Sequence, residues 1–137
     1  MSSGYSKTPL AKKLGLKANF KTRLYKAPDY YHDLFDELPD SLKYTTALDV
    51  SNLDFIHAFF TSNEELTKTI HDLKKGLKQN GILWVSWPKG KSKIETDINR
   101  EIVRSVVLET GLVDIKVAAI DEDWSGLKFM YRLKDRK

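Results

Sequence analysis

Lys89-Gly90-Lys91-Ser92-Lys93 has the residue types of an anion site. It offers three ammonium groups and a glycine that frees the backbone to turn, and a helix starting at Thr96-Asp97 would add oriented amide donors. The stretch lacks the spacing of a P-loop, and a solvated basic loop has the same composition, so both readings stand. The histidines point elsewhere. His32 and His71 fall on different predicted helices, and His57 sits inside an apolar strand, where a core imidazole bonded to one neighbour is expected. No pair has metal-ligand spacing, so no metal is expected. Ser86-Trp87-Pro88 and Trp124-Ser125-Gly126 lack the glycine-flanked turn of a nucleophilic serine. The groups left for proton transfer are Lys89, Asp121 and Asp29, as weak catalytic candidates.

The 137 residues match one ordinary domain, expected to comprise a short N-terminal helix or arm over 1–18 and an α/β core over 19–137. There is no cysteine, which removes disulfides, thiolate metal sites and cysteine nucleophiles together. No stretch approaches the roughly 20 apolar residues that cross a bilayer, and Met1 to Ser6 carry no apolar leader, so a cytoplasmic protein without a membrane partner is expected. The net charge of +4 is segregated. Residues 1–26 hold seven bases and no acid, residues 27–72 ten acids and two bases, and residues 73–93 six bases and no acid. Eighteen of the 23 bases are lysine, which favours a solvated surface over the bidentate readout that arginine provides. Specific nucleic-acid binding is therefore not expected, although weak association remains an alternative.

These residues must be positioned by regular elements. Thr8 as cap, Pro9 at the first helical position and Gly15 at the exit predict a short helix. Phe20 to Ala27 alternates as a strand near a sheet edge, and Tyr31, Leu34, Phe35 and Leu38 make the stripe of a helix between Pro28 and Pro39. A weak strand follows over Tyr44 to Asp49. Phe55 to Phe60 and Ile82 to Trp87 are continuous apolar strands. Between them Ser62 and Glu65 have capping-box spacing, and Leu66, Ile70, Leu73 and Leu77 share one helical face as far as Asn80-Gly81. That β-α-β unit predicts a parallel central pair. Trp84 and Trp87 should then face opposite sides. A helix with Ile98, Ile102, Val103, Val106 and Val107 leaves through Gly111, an edge strand spans Val113 to Ile120, and Leu127 to Leu133 returns antiparallel.

From residue 55 onward this order resembles the second half of a class I, S-adenosylmethionine-dependent methyltransferase. The residues that carry the likeness run from Leu73 to Pro88, resembling that family's helix, L-K-P-G-G, apolar strand and proline, and from Glu109 to Val113. A second likeness spans nearly the whole chain. Gly4 to Leu10, Ala27-Pro28, Leu83 to Lys89, Thr96-Asp97 and Trp124 to Lys128 resemble a family of small uncharacterised bacterial proteins, which brings no activity with it. Together the resemblances imply a three-layer, Rossmann-like α/β fold of methyltransferase-like topology, with a mostly parallel sheet of about six strands and an antiparallel C-terminal strand.

The methyltransferase resemblance also implies a glycine-rich turn after the first strand for the cofactor's amino-acid end, and an acid after the second strand for its ribose. Here the turn reads Ala27-Pro28-Asp29-Tyr30-Tyr31-His32, no glycine lies between Leu16 and Lys75, and Pro28 lacks an N–H. Asp49 stands near the ribose position. No cofactor is expected on this ground. The carboxyl rim of the sheet then gathers the candidate ligand-binding residues Pro28, Tyr30, Thr61, Ser62, Trp87, Lys89, Ser92, Thr96 and Trp124. The leading expectation is a non-catalytic module that binds an anionic small molecule or a protein partner. The alternative is an enzyme, a methyltransferase or another transferase acting on an anionic small molecule.

Overall fold

Ser62 accepts a hydrogen bond from the Glu65 amide at 3.2 Å, and this cap starts the longest helix. The computed structural model describes residues 9–45 and 51–136. In chain order these form α1 (Leu10–Leu14), β1 (Lys21–Tyr25), a 3-10 turn (Tyr31–Leu34), β2 (Lys43–Thr45), β3 (Leu53–Phe59) and α2 (Asn63–Gly76). Then come β4 (Leu77–Pro88), α3 (Arg100–Leu108), β5 (Leu112–Ala119), β6 (Trp124–Tyr131) and a last 3-10 turn (Leu133–Asp135).

The six strands form one sheet in the order β2-β1-β3-β4-β6-β5. β2, β1, β3 and β4 run parallel, and β6 is antiparallel to both of its neighbours. The two apolar strands are central, as a strand covered on both faces must be. β5 is one edge, and β1 lies one place in from the other. Leu66, Ile70 and Leu73 of α2 and Val103 and Val107 of α3 pack on one face with Leu83, Val85, Trp87 and Leu127. Ala11, Leu14 and Tyr31 pack on the other with Phe55, Phe59, Trp84 and Trp124. Each fully buried Leu, Ile, Val or Phe side chain here stabilises the fold by about 1.5–3 kcal/mol. Trp84 and Trp87 thus face opposite sides, both in the core. The short N-terminal helix lies against the sheet, with Leu14 fully buried and its carbonyl accepting from Trp84 Nε1 at 2.8 Å.

Five features differ from the sequence reading. No helix fills the segment between Pro28 and Pro39. It contains only the 3-10 turn, because the Tyr31 amide donates back to Pro28 O and the Asp33 amide to Tyr30 O, while the Tyr31 side chain is drawn into the core. α2 stops at Gly76 rather than Asn80-Gly81. Leu77 is already strand and pairs with Leu53, so its burial belongs to the sheet. Gly81 allows close approach instead: a Cβ there would stand 2.9 Å from Leu53 O.

α3 begins at Arg100 under an Asn99 cap, not at Thr96, since the Asn99 side chain accepts from the Ile102 amide at 2.9 Å. Ile98 therefore precedes the helix. β6 takes in Trp124, Ser125 and Gly126, which were expected in the preceding turn and instead pair with Pro88, Trp87 and Ser86. Pro9 is the cap of α1 rather than its first helical residue. The expected cap Thr8, the ribose candidate Asp49 and the later part of the weak strand lie outside the described residues.

Candidate functional site

β3 runs out into Thr61-Ser62 and β4 into Pro88-Lys89, and the segment from Lys89 to Asn99 folds back over both exits. Its placement follows from five hydrogen bonds. Lys89 N donates to Asp123 O at 2.8 Å and Ser92 Oγ to Asp123 Oδ1 at 2.9 Å, which ties the segment to the turn before β6. Thr96 Oγ1 donates to Thr61 O at 2.7 Å, Asp97 N donates to the same carbonyl at 3.2 Å, and Asn63 N donates to Asp97 Oδ1 at 2.8 Å. The Asp97 carboxylate thereby occupies the amino end of α2, where the helix dipole favours negative charge.

Between the segment and the strand exits lies a cavity of about 790 Å³. Thr61, Ser62, Trp87, Lys89, Ser92 and Thr96, all expected at the rim, line it. Trp87, Ile94 and Ile98 give apolar surface, Lys89 and Lys93 the cations, and Glu95 and Asp97 the anions. The oriented amides expected of a helix at Thr96 are absent, because Thr96 and Asp97 lie in the loop and face Thr61 and α2.

The remaining candidates lie elsewhere. Asp121 Oδ1 accepts from the amides of Asp123 and Trp124 at 2.8 Å each, and its Oδ2 accepts from Tyr30 Oη at 2.9 Å. Asp121 thus builds a turn. Partial burial, followed by this bond to a carboxylate, raises the Tyr30 phenol to about 12. Trp124 is buried with its ring edge-on to Phe59 at 5.0 Å, and Asp29 is exposed. Pro28 lies in the turn that the Tyr31 amide closes. Of the three catalytic candidates, Lys89 alone lines the cavity.

Two arrangements escaped the sequence reading. His57 bonds through both ring nitrogens rather than one, Nδ1 to Tyr31 Oη at 2.9 Å and Nε2 to Ser86 Oγ at 2.8 Å. Burial pushes this imidazole down to about 3, so it is neutral. The other is the bracing of the cavity by Asp123 and Asp97. Partners so far apart in sequence leave no local signal.

The turn after β1 can be tested against S-adenosylmethionine. A cofactor held there would need exposed amides and room for close backbone approach. The Tyr31 amide is instead bonded to Pro28 O, the Asp33 amide to Tyr30 O, and the Tyr31 side chain is packed onto β3. These residues do not fit the cofactor.

The sheet order, with a parallel half closed by an antiparallel strand, and the helices on both faces define a Rossmann-like α/β fold of the class I methyltransferase kind. No family model matches the chain, and no curated protein matches it in sequence. Solved structures do. An S-adenosylmethionine-dependent methyltransferase from Aquifex aeolicus superposes with a TM-score of 0.56 at 17% identity, over 90% of this chain and 88% of that one. Magnesium protoporphyrin IX methyltransferase from Synechocystis gives 0.57 at 7% identity, over 90% and 78%. A TehB-like methyltransferase from Corynebacterium glutamicum gives 0.53 at 10% identity, over 84% and 82%. At these identities the likeness is one of fold. Among the described residues no helix is long and apolar enough to cross a membrane, and no three His, Asp or Glu side chains cluster as metal ligands would.

Proposed function

We propose that this chain is a non-catalytic small-molecule-binding module with a methyltransferase-like fold, and that its ligand occupies the cavity at the exits of β3 and β4. The observation that supports this most is Tyr31. Its backbone closes the turn after β1, and its ring and hydroxyl sit on Phe59 and His57. A glycine in that turn would leave open the space that the Tyr31 side chain fills. The cavity on the neighbouring strands is open to solvent, with a volume within the roughly 300–1,000 Å³ typical of ligand sites. Lys89 and Lys93 are its cations for a negatively charged group, and Trp87 is its flat apolar wall.

The fold likeness to methyltransferases supports a second reading, in which S-adenosylmethionine binds and a methyl group is transferred. Calorimetry with S-adenosylmethionine and S-adenosylhomocysteine separates the two. The binding-module reading expects no specific heat of binding. A dissociation constant below about 100 μM, or more than roughly 5 kcal/mol of binding energy, sinks it.

A further inference from the structure

Lysines from α1, β5 and β6, together with Lys17 just beyond α1, lie on the α1 face of the sheet. Lys116 of β5 and Lys128 of β6 are register partners, directly opposite each other across the two strands. Lys128 alternates with Leu127 and Phe129, whose side chains enter the α2 and α3 core, so it points to the side on which α1 lies. α1 sits over it: a Cβ on Gly15 would stand 3.9 Å from Lys128 Nζ. From α1 itself, Lys13 Nζ donates to Ala119 O at 3.2 Å, which holds it beside β5, and Lys17 follows the helix. Lys13 and Lys128 are partly buried.

Among the described residues no carboxylate forms an ion pair with these lysines. The ion pairs among the described residues belong to Lys26, Lys75, Lys78 and Arg104. Partial burial and then nearby lysines hold two of the ammonium groups below the usual lysine range. For Lys13 the neighbours are Lys116 and Lys89, and for Lys128 they are Lys116 and Lys17. Like charges directly opposite in a sheet are destabilising. A lone lysine on an edge strand guards against strand pairing, which explains Lys116 but not Lys13 or Lys128.

We propose that this face binds a compact phosphate compound carrying several charges, held by Lys13, Lys17, Lys116 and Lys128. Lysine acts as a point charge without a fixed fork, so the face selects charge density over planar geometry. Several ammonium groups on one face suit a compact run of negative charges, as along a condensed phosphate chain, whether inorganic or carried by a nucleotide. A nucleic-acid backbone needs bases spread along a path. Three bases of the second basic block are engaged elsewhere: Lys74 donates to Thr110 O, Lys75 pairs with Asp72 and Lys78 with Asp54.

The test is calorimetry and thermal melting of the full chain with inorganic tripolyphosphate at low ionic strength. Tripolyphosphate is expected to bind at least about tenfold more tightly than orthophosphate, with ATP competing for the same site. Tighter binding of ATP than of tripolyphosphate assigns the chain to a nucleotide, and the reverse assigns it to the inorganic polymer. Lys116→Gln should weaken tripolyphosphate about tenfold while raising the melting temperature of the free protein, which a merely structural lysine would not do. Lys17→Gln, at an exposed position, should weaken it as well and serves if the first variant folds poorly. Lys75→Gln should change neither, and Lys93→Ala should leave tripolyphosphate binding intact, keeping this face separate from the cavity. The proposal fails if the parent does not bind tripolyphosphate or if Lys116→Gln and Lys17→Gln both bind it as the parent does. It also fails if a DNA duplex binds without competition from tripolyphosphate.

Discussion

Tyr31 Oη lies 2.9 Å from Nδ1 of His57, and this contact joins the turn after β1 to the middle of the sheet. The ring's other nitrogen meets Ser86 Oγ on β4, so one neutral imidazole ties together three segments of the chain. Neutral histidine has one donor and one acceptor, which match two hydroxyl partners. The imidazolium has two donors and would leave a buried hydroxyl hydrogen without that acceptor.

Stability should therefore depend on pH through His57. Its folded-state value near 3 lies below the roughly 6.5 of an unfolded histidine, so the contribution is complete above about pH 6.5 and is lost as pH falls towards 3. The loss approaches about 1.4 kcal/mol per pH unit inside that window. Asp54, where burial is outweighed by bonds from Lys78 and the Lys21 amide, and Glu65, bonded by Lys26, are also lowered, and their contributions are lost as pH falls through the ordinary carboxylate range and below it. Urea denaturation between pH 6.5 and 5 isolates the histidine, and an unchanged midpoint across that interval would contradict this account.

Tyr31→Phe keeps the ring contacts to Phe35 and Phe59 and removes only the hydroxyl. His57 Nδ1 is then left unpaired in the core, at a cost of about 1–3 kcal/mol. Because the ring still fills the turn, the variant should gain no affinity for S-adenosylmethionine. Denaturant melts and calorimetry on the same sample read both outcomes.

The sequence made some parts of this molecule legible and hid others for physical reasons. The apolar runs ending in Phe60 and Trp87 could only be a buried parallel pair, and the Ser62 to Glu65 cap is a local signal. Tyr31, Leu34, Phe35 and Leu38 have helical spacing and all contribute to the α1-side core, yet the chain reaches that core by a 3-10 turn. Their apolar character was readable and their backbone was not, because the pull on Tyr31 comes from His57, 26 positions away. Strand order brought Thr61, Ser62, Trp87 and Lys89 to the rim, whereas Ser92 and Thr96 came from reading the basic loop and a helix start that the structure moves to Arg100. Asp97 and Asp123 were not readable, since each acts on a partner brought near by the fold. The convergence of Lys13 with Lys116 and Lys128 was hidden for the same reason.

Asp97→Ala should remove the carboxylate from the amino end of α2 and cost about 0.5–2 kcal/mol, comparable to Ser62→Ala. The two losses differ in reach. Asp97 also fastens the cavity segment, so its removal should speed hydrogen exchange from Ser92 to Asn99 as well as at Asn63. Ser62→Ala should affect the start of α2 alone. Equal exchange in both variants would separate Asp97 from the segment.

Gly126 marks a close approach of β6 to β4. A methyl group there would lie 3.0 Å from Ser86 Oγ, 3.1 Å from Trp84 Cε3 and 3.3 Å from Ile120 Cδ1. Overpacking of this kind costs about 1–3 kcal/mol, and here it also presses on the hydroxyl that His57 uses. Gly126→Ala should lower the melting temperature, whereas Gly90→Ala, which meets nothing within 4 Å, should hardly change it.

The cavity is expected to take a small molecule with a negative group, and Thr96 is the residue whose loss should loosen it. Its hydroxyl donates to Thr61 O at 2.7 Å and accepts from the Ile98 amide at 3.1 Å, so it fixes the wall opposite the strand exits. A ligand at about 100 times its dissociation constant adds roughly 2.7 kcal/mol of stability, which a melting screen over nucleotides, sugar phosphates and small organic acids detects. For any compound found, Lys89→Ala should weaken binding by removing a lining cation, and Thr96→Ala by releasing the wall. Salt should reduce the effect of Lys89 more than that of Thr96, because only the former is a matter of charge. Lys13 is unsuitable as a control, since its ammonium feels the charge of Lys89, and Lys75 on α2 takes its place. If Lys89→Ala and Thr96→Ala retain the parent's ligand-induced shift, the segment from Lys89 to Asn99 is an ordinary surface loop and the ligand sits elsewhere.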